Sequence, residues 1–459
     1  MPLESTIPSS FRDPDGFLYY VDGILYRQIN KSYAKTFDEI AKSGLYEYLW
    51  QQEMLIAHEI DDCEKAQNDN AFAVIKPQKV PFISYPYEWS FEQLKDAALL
   101  TLDIQRQAMR FGYSLKDASA YNIQFVNGRP VFIDTLSFET ATPNKPWVAY
   151  GQFCKHFLAP LVLMAFIDIR LSSLLQSNID GVPLDLASRL LPSKTLLRPS
   201  TLFHIHLHAR MQTKHADSKK GHNNTSLSTN TLPILIDSLT SAIKRLKWKS
   251  QITEWGDYYK STNYSEEAFQ CKKHVVKQML EDCEPHTVWD MGANTGVFSR
   301  LALECGAQVV AFDVDPMAVN ANYALARKNN ESLLPLLLDL TTPSPSIGWN
   351  CTERPSVFER GPVDVCMALA LIHHLAISNN VPLGNVARLF ASFCKFLIIE
   401  FVPKEDSQVK RLLSSRKDIF SQYDLGSFKR YFSESFSIIQ ESQIKDSLRT
   451  LFLMKSKSR

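Results

Sequence analysis

The chain has 459 residues, 45% apolar and 22% charged, with a formal net charge of +1. That composition can bury cores in two or more domains. It excludes a broad electrostatic footprint for nucleic acid and leaves room only for a local basic patch.

The first ten residues, MPLESTIPSS, lack the basic and apolar regions of a signal peptide. The longest apolar run, residues 157–167, is too short to span a bilayer and is interrupted by Pro160. The eight cysteines form no C-x-x-C pair and read as reduced thiols, neither a disulfide framework nor a zinc site. A cytoplasmic protein without a membrane span is expected, and no internal repeat is present.

Residues 16–29, GFLYYVDGILYRQI, read as a hairpin turning at Asp22-Gly23. Helical patterns follow, with Ile40, Leu45, Tyr48, Leu49 and Leu55 as buried positions. Residues 61–70 are polar and read as a loop. Residues 72–75 and 80–84 read as strands, and residues 91–110 as a helix. In residues 115–139, LKDASAYNIQFVNGRPVFIDTLSFE, Asn127-Gly128 turns a second hairpin. Asp117 precedes it, Asn122 opens it and Asp134 closes it.

This order resembles the catalytic loop and metal-binding acid of aminoglycoside phosphotransferases and other protein-kinase-like folds. The resemblance implies that Asp117 orients a hydroxyl while Asn122 and Asp134 hold magnesium. The chain departs from that pattern in three places. Asp22-Gly23 stands where a glycine-rich loop belongs. Arg27, Lys31 and Lys76 are poor substitutes for the strand lysine. Thr135-Leu136 replaces Phe-Gly. Three readings stay open: a degenerate kinase-like fold that binds a partner or positions a substrate, an active phosphotransferase, or a hairpin with ordinary turn carboxylates.

Residues 147–175 are apolar and mostly helical. In residues 202–210, LFHIHLHAR, His204, His206 and His208 alternate. In a strand they would share a face, where three imidazoles could bind zinc. No fourth ligand is evident, so a strand at a domain edge is expected and no metal is assigned. Residues 212–230 are rich in Ser, Thr, Asn, Lys and His and read as a linker or exposed insertion. The expected domains are 1–210, an α+β kinase-like domain; 211–233, a linker; and 234–459. Residues 232–248 read as an amphipathic helix with a basic, solvated end. Lys272, Lys273 and Lys277 precede the next motif and receive no chemical role.

Residues 288–300, VWDMGANTGVFSR, read as a strand, a tight glycine turn and a helix. Arg300 and Glu304 are placed to pair at i,i+4. A dinucleotide G-x-G-x-x-G register fails at Asn294 and Val297. The D-x-G-x-G-x-G spacing fits at Asp290, Gly292 and Gly296, and only Asn294 departs. Residues 309–313 read as a strand ending in Asp313, followed by a helix capped at Asp315-Pro316. Residues 336–339 are a third apolar run, ending in Asp339, and residues 363–371 a fourth. This rhythm is that of an α/β parallel, doubly wound, Rossmann-like sheet. Residues 396–401 supply a fifth strand, with Glu400 near substrate. Residues 435–440 and 448–454 close the sheet as an antiparallel pair.

Residues 258–457 resemble a class I S-adenosylmethionine (SAM)-dependent methyltransferase. The resemblance implies that Asp290, Gly292, Asn294 and Gly296 hold the methionine end, Asp313 the ribose and Asp339 the adenine. It places the aromatic segment with Tyr258, Tyr259 and Tyr264 over the cofactor. It makes His373 and His374, after the fourth strand, the candidate catalytic pair. The stretches NYSEEAF, WDMGANTG, ALIHHLAISNNVPL and IEFVPKEDSQV also resemble the family of the rhizobial nodulation methyltransferase NoeA. The implied function is methyl transfer from SAM to a small molecule or glycan precursor. The alternatives are phosphotransfer in the first domain and a SAM-binding regulatory or scaffold protein without turnover. No oligomeric state is implied.

Overall fold

A computed structural model describes residues 6–458, apart from residues 62, 143, 212–230, 249–263 and 415. The chain divides into two compact units. One is Met1–Lys249 with Ile347–Arg354, and the other is Ser250–Ser346 with Pro355–Arg459.

In the first unit β1 (Gly16–Val21) and β2 (Ile24–Asn30) form the expected hairpin. Asp22 and Gly23 take φ of 50° and 77°, as a primed two-residue turn requires. With β3 (His58–Asp61) and β4 (Ala71–Pro77) they build an antiparallel sheet of order β1-β2-β4-β3. Two helices, Ala34–Ser43 and Leu45–Gln51, bury Phe37, Ile40, Leu45 and Leu49. The helix Phe91–Arg110 opens on a Ser90–Gln93 capping box. Then come β5 (Tyr113–Leu115), the hairpin of β6 (Ile123–Val126) and β7 (Arg129–Phe132), and β8 (Phe138–Thr140) against β5. A sheet, a helix pair, a connecting segment, a long helix, an acid-bearing loop and a hairpin follow in the order of a protein-kinase-like fold.

Two expected strands are absent. Residues 80–84 contain Pro81 and join no ladder. The Ser84 N–H donates to Gln124 Oε1 at 2.8 Å, and its carbonyl accepts from Gln124 Nε2 at 3.0 Å, so a side chain satisfies this backbone. Residues Leu202–Leu207 are a π-helix, so His204 and His208 face Tyr150 while His206 turns away to Ser188 and Thr195. His204 is held by Tyr150 at 2.8 Å and Ser238 at 3.0 Å, and His206 by Ser188 at 2.8 Å and Thr195 at 2.9 Å. His208 stacks on Tyr150 with ring centroids 4.8 Å apart. No metal-binding group of His, Cys, Asp and Glu occurs among the described residues.

Residues 212–230 of the expected linker lie outside the described residues. The helix Thr231–Arg245 falls in the first unit, where Arg106 pairs with Asp237 at 2.9 Å and Lys95 donates to the Leu246 carbonyl at 3.1 Å. The division therefore comes after this helix, whereas composition had placed the boundary before it. The polar stretch that drew the boundary is followed by an apolar face that packs backward.

The second unit is one seven-stranded sheet. Its strands are β9 (Thr287–Met291), β10 (Gln308–Asp313), β11 (Leu333–Leu337), β12 (Val363–Ala368), β13 (Cys394–Phe401), β14 (Phe436–Gln443) and β15 (Thr450–Ser456). The order is β11-β10-β9-β12-β13-β15-β14, parallel from β11 to β13, with β15 antiparallel to both neighbours. Numbered within the unit this is 3-2-1-4-5-7-6, the class I methyltransferase fold. The parallel strands bury both faces, hence their near-continuous apolar runs. The Arg300–Glu304 pair does not form. Arg300 pairs with Glu331 at 2.8 Å and Glu304 with Lys277 at 2.8 Å, because tertiary neighbours compete with the helix surface. All eight cysteines are free. No helix among the described residues is long and apolar enough to cross a membrane.

Candidate active site

The strand order reverses between β10 and β12, on either side of β9. In open parallel sheets such a switch point leaves a crevice beyond the strand C-termini. Here the crevice is floored by the turn after β9. Gly292 and Gly296 take φ of 80° and 79°, with Asn294 at 49° between them. A Cβ on Gly296 would lie 2.5 Å from Asn322 Oδ1, so a side chain there would displace Asn322 and strain a backbone at φ 79°. Asn294 tolerates the left-handed region that the glycine pattern had led us to expect of glycine.

Two carboxylates organise the turn. Asp313, at the end of β10, accepts from the Asn294 N–H at 2.7 Å and the Asp315 N–H at 2.8 Å. It thereby ties the turns after β9 and β10 together. Burial pushes its carboxyl up to about 6. Asp290 is 2% exposed and accepts from Ser299 Oγ at 2.6 Å. Burial pushes it up to about 7. Each is poised to ionise fully when a cation or a pair of donors arrives.

Two adjoining cavities share Gly292, Asn294, Leu369 and Ala370 in their walls. The larger, about 440 Å³, is lined by Asp313, Asp339 and His374 among others. The smaller, about 30 Å³, is lined by Tyr264, Lys272 and Asp290 among others. Asp339 is exposed at the rim, two residues beyond β11, and accepts from the Thr341 N–H at 2.8 Å and Thr341 Oγ1 at 2.6 Å. Ala370 takes φ of 51°, a region that costs a side-chain-bearing residue about 1–2 kcal/mol. Nothing in the sequence marked it. Tyr258 and Tyr259 lie outside the described residues.

Beneath the smaller cavity runs a buried ion network. Lys272 Nζ donates to Glu400 Oε2 at 2.7 Å, and Arg449 Nη1 lies 3.8 Å from Glu400 Oε1. Arg449 Nε donates to Asp406 at 2.8 Å, and the Tyr264 hydroxyl donates to Glu400. Burial alone would raise the Glu400 carboxyl, but the charges of Lys272 and Arg449 hold it below its ordinary value. Glu400 is 0% exposed and fully engaged, so the expectation that it meets substrate is corrected. Lys272, given no role from sequence, proves to wall the cavity. An odd lysine on the buried face of its helix was the one available signal.

The histidine pair separates. His374 is half-buried and lines the larger cavity. His373 is 1% exposed, and its Nδ1 meets no hydrogen-bond partner among the described residues. Burial and the neighbouring His374 hold its imidazole well below the ordinary range. The rings lie 4.2 Å apart.

The acid-asparagine-acid set of the first unit is committed to the protein itself. Asp134 pairs with Arg27 at 2.5 Å and accepts from Ser137 Oγ. Arg27, 7% exposed, also donates to Asp13 at 2.9 Å. Asn122 donates to Ser137 at 3.2 Å, and Asp117 accepts from Gln152 at 2.8 Å. A guanidinium thus lies against the carboxylate that the kinase-like pattern gives to magnesium.

Comparison with known proteins finds 34% identity over 461 residues to the nodulation protein NoeA of Rhizobium meliloti (strain 1021). The match takes in 98% of this chain and 96% of that protein. The chain belongs to the NoeA family. Its NoeA-like character therefore runs through both units. No protein-family model matches. Among solved structures, the bifunctional kinase-methyltransferase WbdD is 18% identical with a TM-score of 0.29, over 41% of this chain and 39% of that one. The N-methyltransferase NodS from Bradyrhizobium japonicum WM9 is 11% identical with a TM-score of 0.31, over 42% of this chain and 98% of that one. The magnesium protoporphyrin IX methyltransferase ChlM from Synechocystis PCC 6803, with bound S-adenosylhomocysteine (SAH), is 15% identical with a TM-score of 0.30, over 46% of this chain and 92% of that one.

Proposed function

We propose that this NoeA-family protein is a SAM-dependent methyltransferase acting on a small molecule or glycan precursor. One observation carries the reading: two adjoining cavities at the switch point, the larger faced by the strand-end carboxylate of Asp313. Asp313 would accept both ribose hydroxyls, and exposed Asp339 the adenine amino group. Gly292 and Gly296 keep the backbone open to close approach, and Asn294 holds the turn. Asp290 would meet the methionine ammonium in the smaller cavity, which Lys272 and Tyr264 also line.

When bound, the cofactor supplies an electrophilic methyl on a positively charged sulfur. The protein then has to align an acceptor and exclude water. If the acceptor atom is a hydroxyl, His374 would take its proton, a task suited to an imidazole. His373, buried behind it, is a positioning residue in this scheme.

Titration calorimetry of the full chain with SAH tests the proposal. Stoichiometric binding with a micromolar Kd is expected, and it should be lost in Asp313→Ala. Absence of binding to the wild type, or an unchanged isotherm for the variant, would overturn it.

A further inference from the structure

A third cavity, about 470 Å³, opens in the second unit between the start of the helix Leu383–Phe393 and the segment before and within the helix Leu425–Ser435. It shares a wall with the cofactor-side cavity. His374, Leu375, Ser378 and Asn379 line one side of the loop after β12, while Ala376, Asn380 and Val381 line the other. Ala376, Asn380, Val381, Pro382 and Leu383 belong to the family-like stretch ALIHHLAISNNVPL, but the cofactor assignment uses none of the cleft's residues.

Its chemistry is distinctive. Three carboxamides face it: Asn380, Asn385 and Gln422. Each has its oxygen occupied from within the protein. Asn385 Oδ1 accepts from Arg388 Nη2 at 2.5 Å, Gln422 Oε1 from the Tyr431 hydroxyl at 2.5 Å, and Asn380 Oδ1 from Arg416 Nη1 at 3.3 Å. With each oxygen so occupied, the amide NH2 is the group left to meet a ligand, so the cleft is lined by neutral donors. Arg388 adds N–H groups, and Glu434 supplies an exposed acceptor that balances its charge. Between them stand Phe420 and Tyr431, two partly exposed rings, and Ile419, 65% exposed.

Neutral donors around flat apolar rings match a ligand with many hydroxyl and ring oxygens and two hydrophobic C–H faces. They do not match a polyanion, which would need unbalanced cations. We propose that this cleft holds a saccharide ring of the acceptor, on the far side of the β12 loop from the cofactor cavity and His374. The acceptor role rests on the methyltransferase reading; the saccharide affinity of the cleft does not.

Saturation-transfer NMR on the full chain with three neutral disaccharides, cellobiose, maltose and N,N′-diacetylchitobiose, tests it. Transfer to the ring protons of at least one is expected. The exposed double variant Asn385→Ala, Gln422→Ala, which should fold normally, is expected to weaken that binding about tenfold. Tyr431→Ala should abolish it. Silence with all three sugars, or binding that survives both variants, overturns the proposal. SAH titration of the same samples separates the two ideas. SAH binding without sugar binding removes the cleft and keeps the cofactor site. Sugar binding without SAH keeps a saccharide site and removes the methyl-transfer reading.

Discussion

Both units carry aspartates at loop positions where their folds hold ligands, yet the two sets differ in what they face. In the first unit Asp134 is met by Arg27 and Ser137, and Asp117 by Gln152, so their charge and lone pairs are spent within the protein. In the second unit Asp313 is held only by backbone N–H groups and lines a cavity of about 440 Å³. Asp134 is neutralised by a cation of the chain and Asp117 is bonded to a side-chain amide, whereas among the described residues the hydrogen bonds to Asp313 come from backbone N–H groups, which supports the binding role proposed for it. A carboxylate's neighbours, more than its place in a motif, decide between these roles.

The sharpest break of this comparison is Arg27→Ala. It leaves Asp13 and Asp134 without their shared cation in a buried site, which costs about 3–5 kcal/mol. Chemical denaturation should show that loss while SAH affinity stays unchanged. An equal fall in SAH affinity at full folding would erase the contrast between the units.

Asp313→Asn should do the reverse. Replacing a charged acceptor removes about 2–3 kcal/mol of hydrogen bonding to the ligand, roughly a hundredfold in Kd. Its effect on stability should be smaller than that of Arg27→Ala. A variant that unfolds while the remaining folded fraction binds normally would class Asp313 with Asp134.

The smallest single-group effect, that of Asp313, is on pH. The Asp313 carboxyl is raised to about 6 by burial, and Asp290 to about 7. Ligand binding needs their ionised forms, so affinity should fall as pH drops through this range and level off above it. At pH 5 roughly one Asp313 in ten is ionised, which predicts about a tenfold weaker Kd from that group alone. A flat profile between pH 5 and 8 would show that neither carboxylate faces the ligand.

Much of this protein is legible in one dimension. The Asp22-Gly23 and Asn127-Gly128 turns, the helix Phe91–Arg110 and the seven strands around Asp290 and Asp313 follow from local rules. Two-residue turns demand particular backbone angles, and buried parallel strands demand apolar runs. These requirements act within a few residues of the side chains that meet them. What the chain alone did not decide is who meets whom. The histidines of residues 202–210 alternate as a strand would, but Tyr150, Ser188, Thr195 and Ser238 hold them in a helix. Lys272 and Glu400 lie 128 residues apart and become one buried pair. Arg27 and Asp134 convert a metal-binding pattern into an ion pair. Charge neutralisation in a low-dielectric interior depends on distances of a few ångströms in space, and only the tertiary fold sets those.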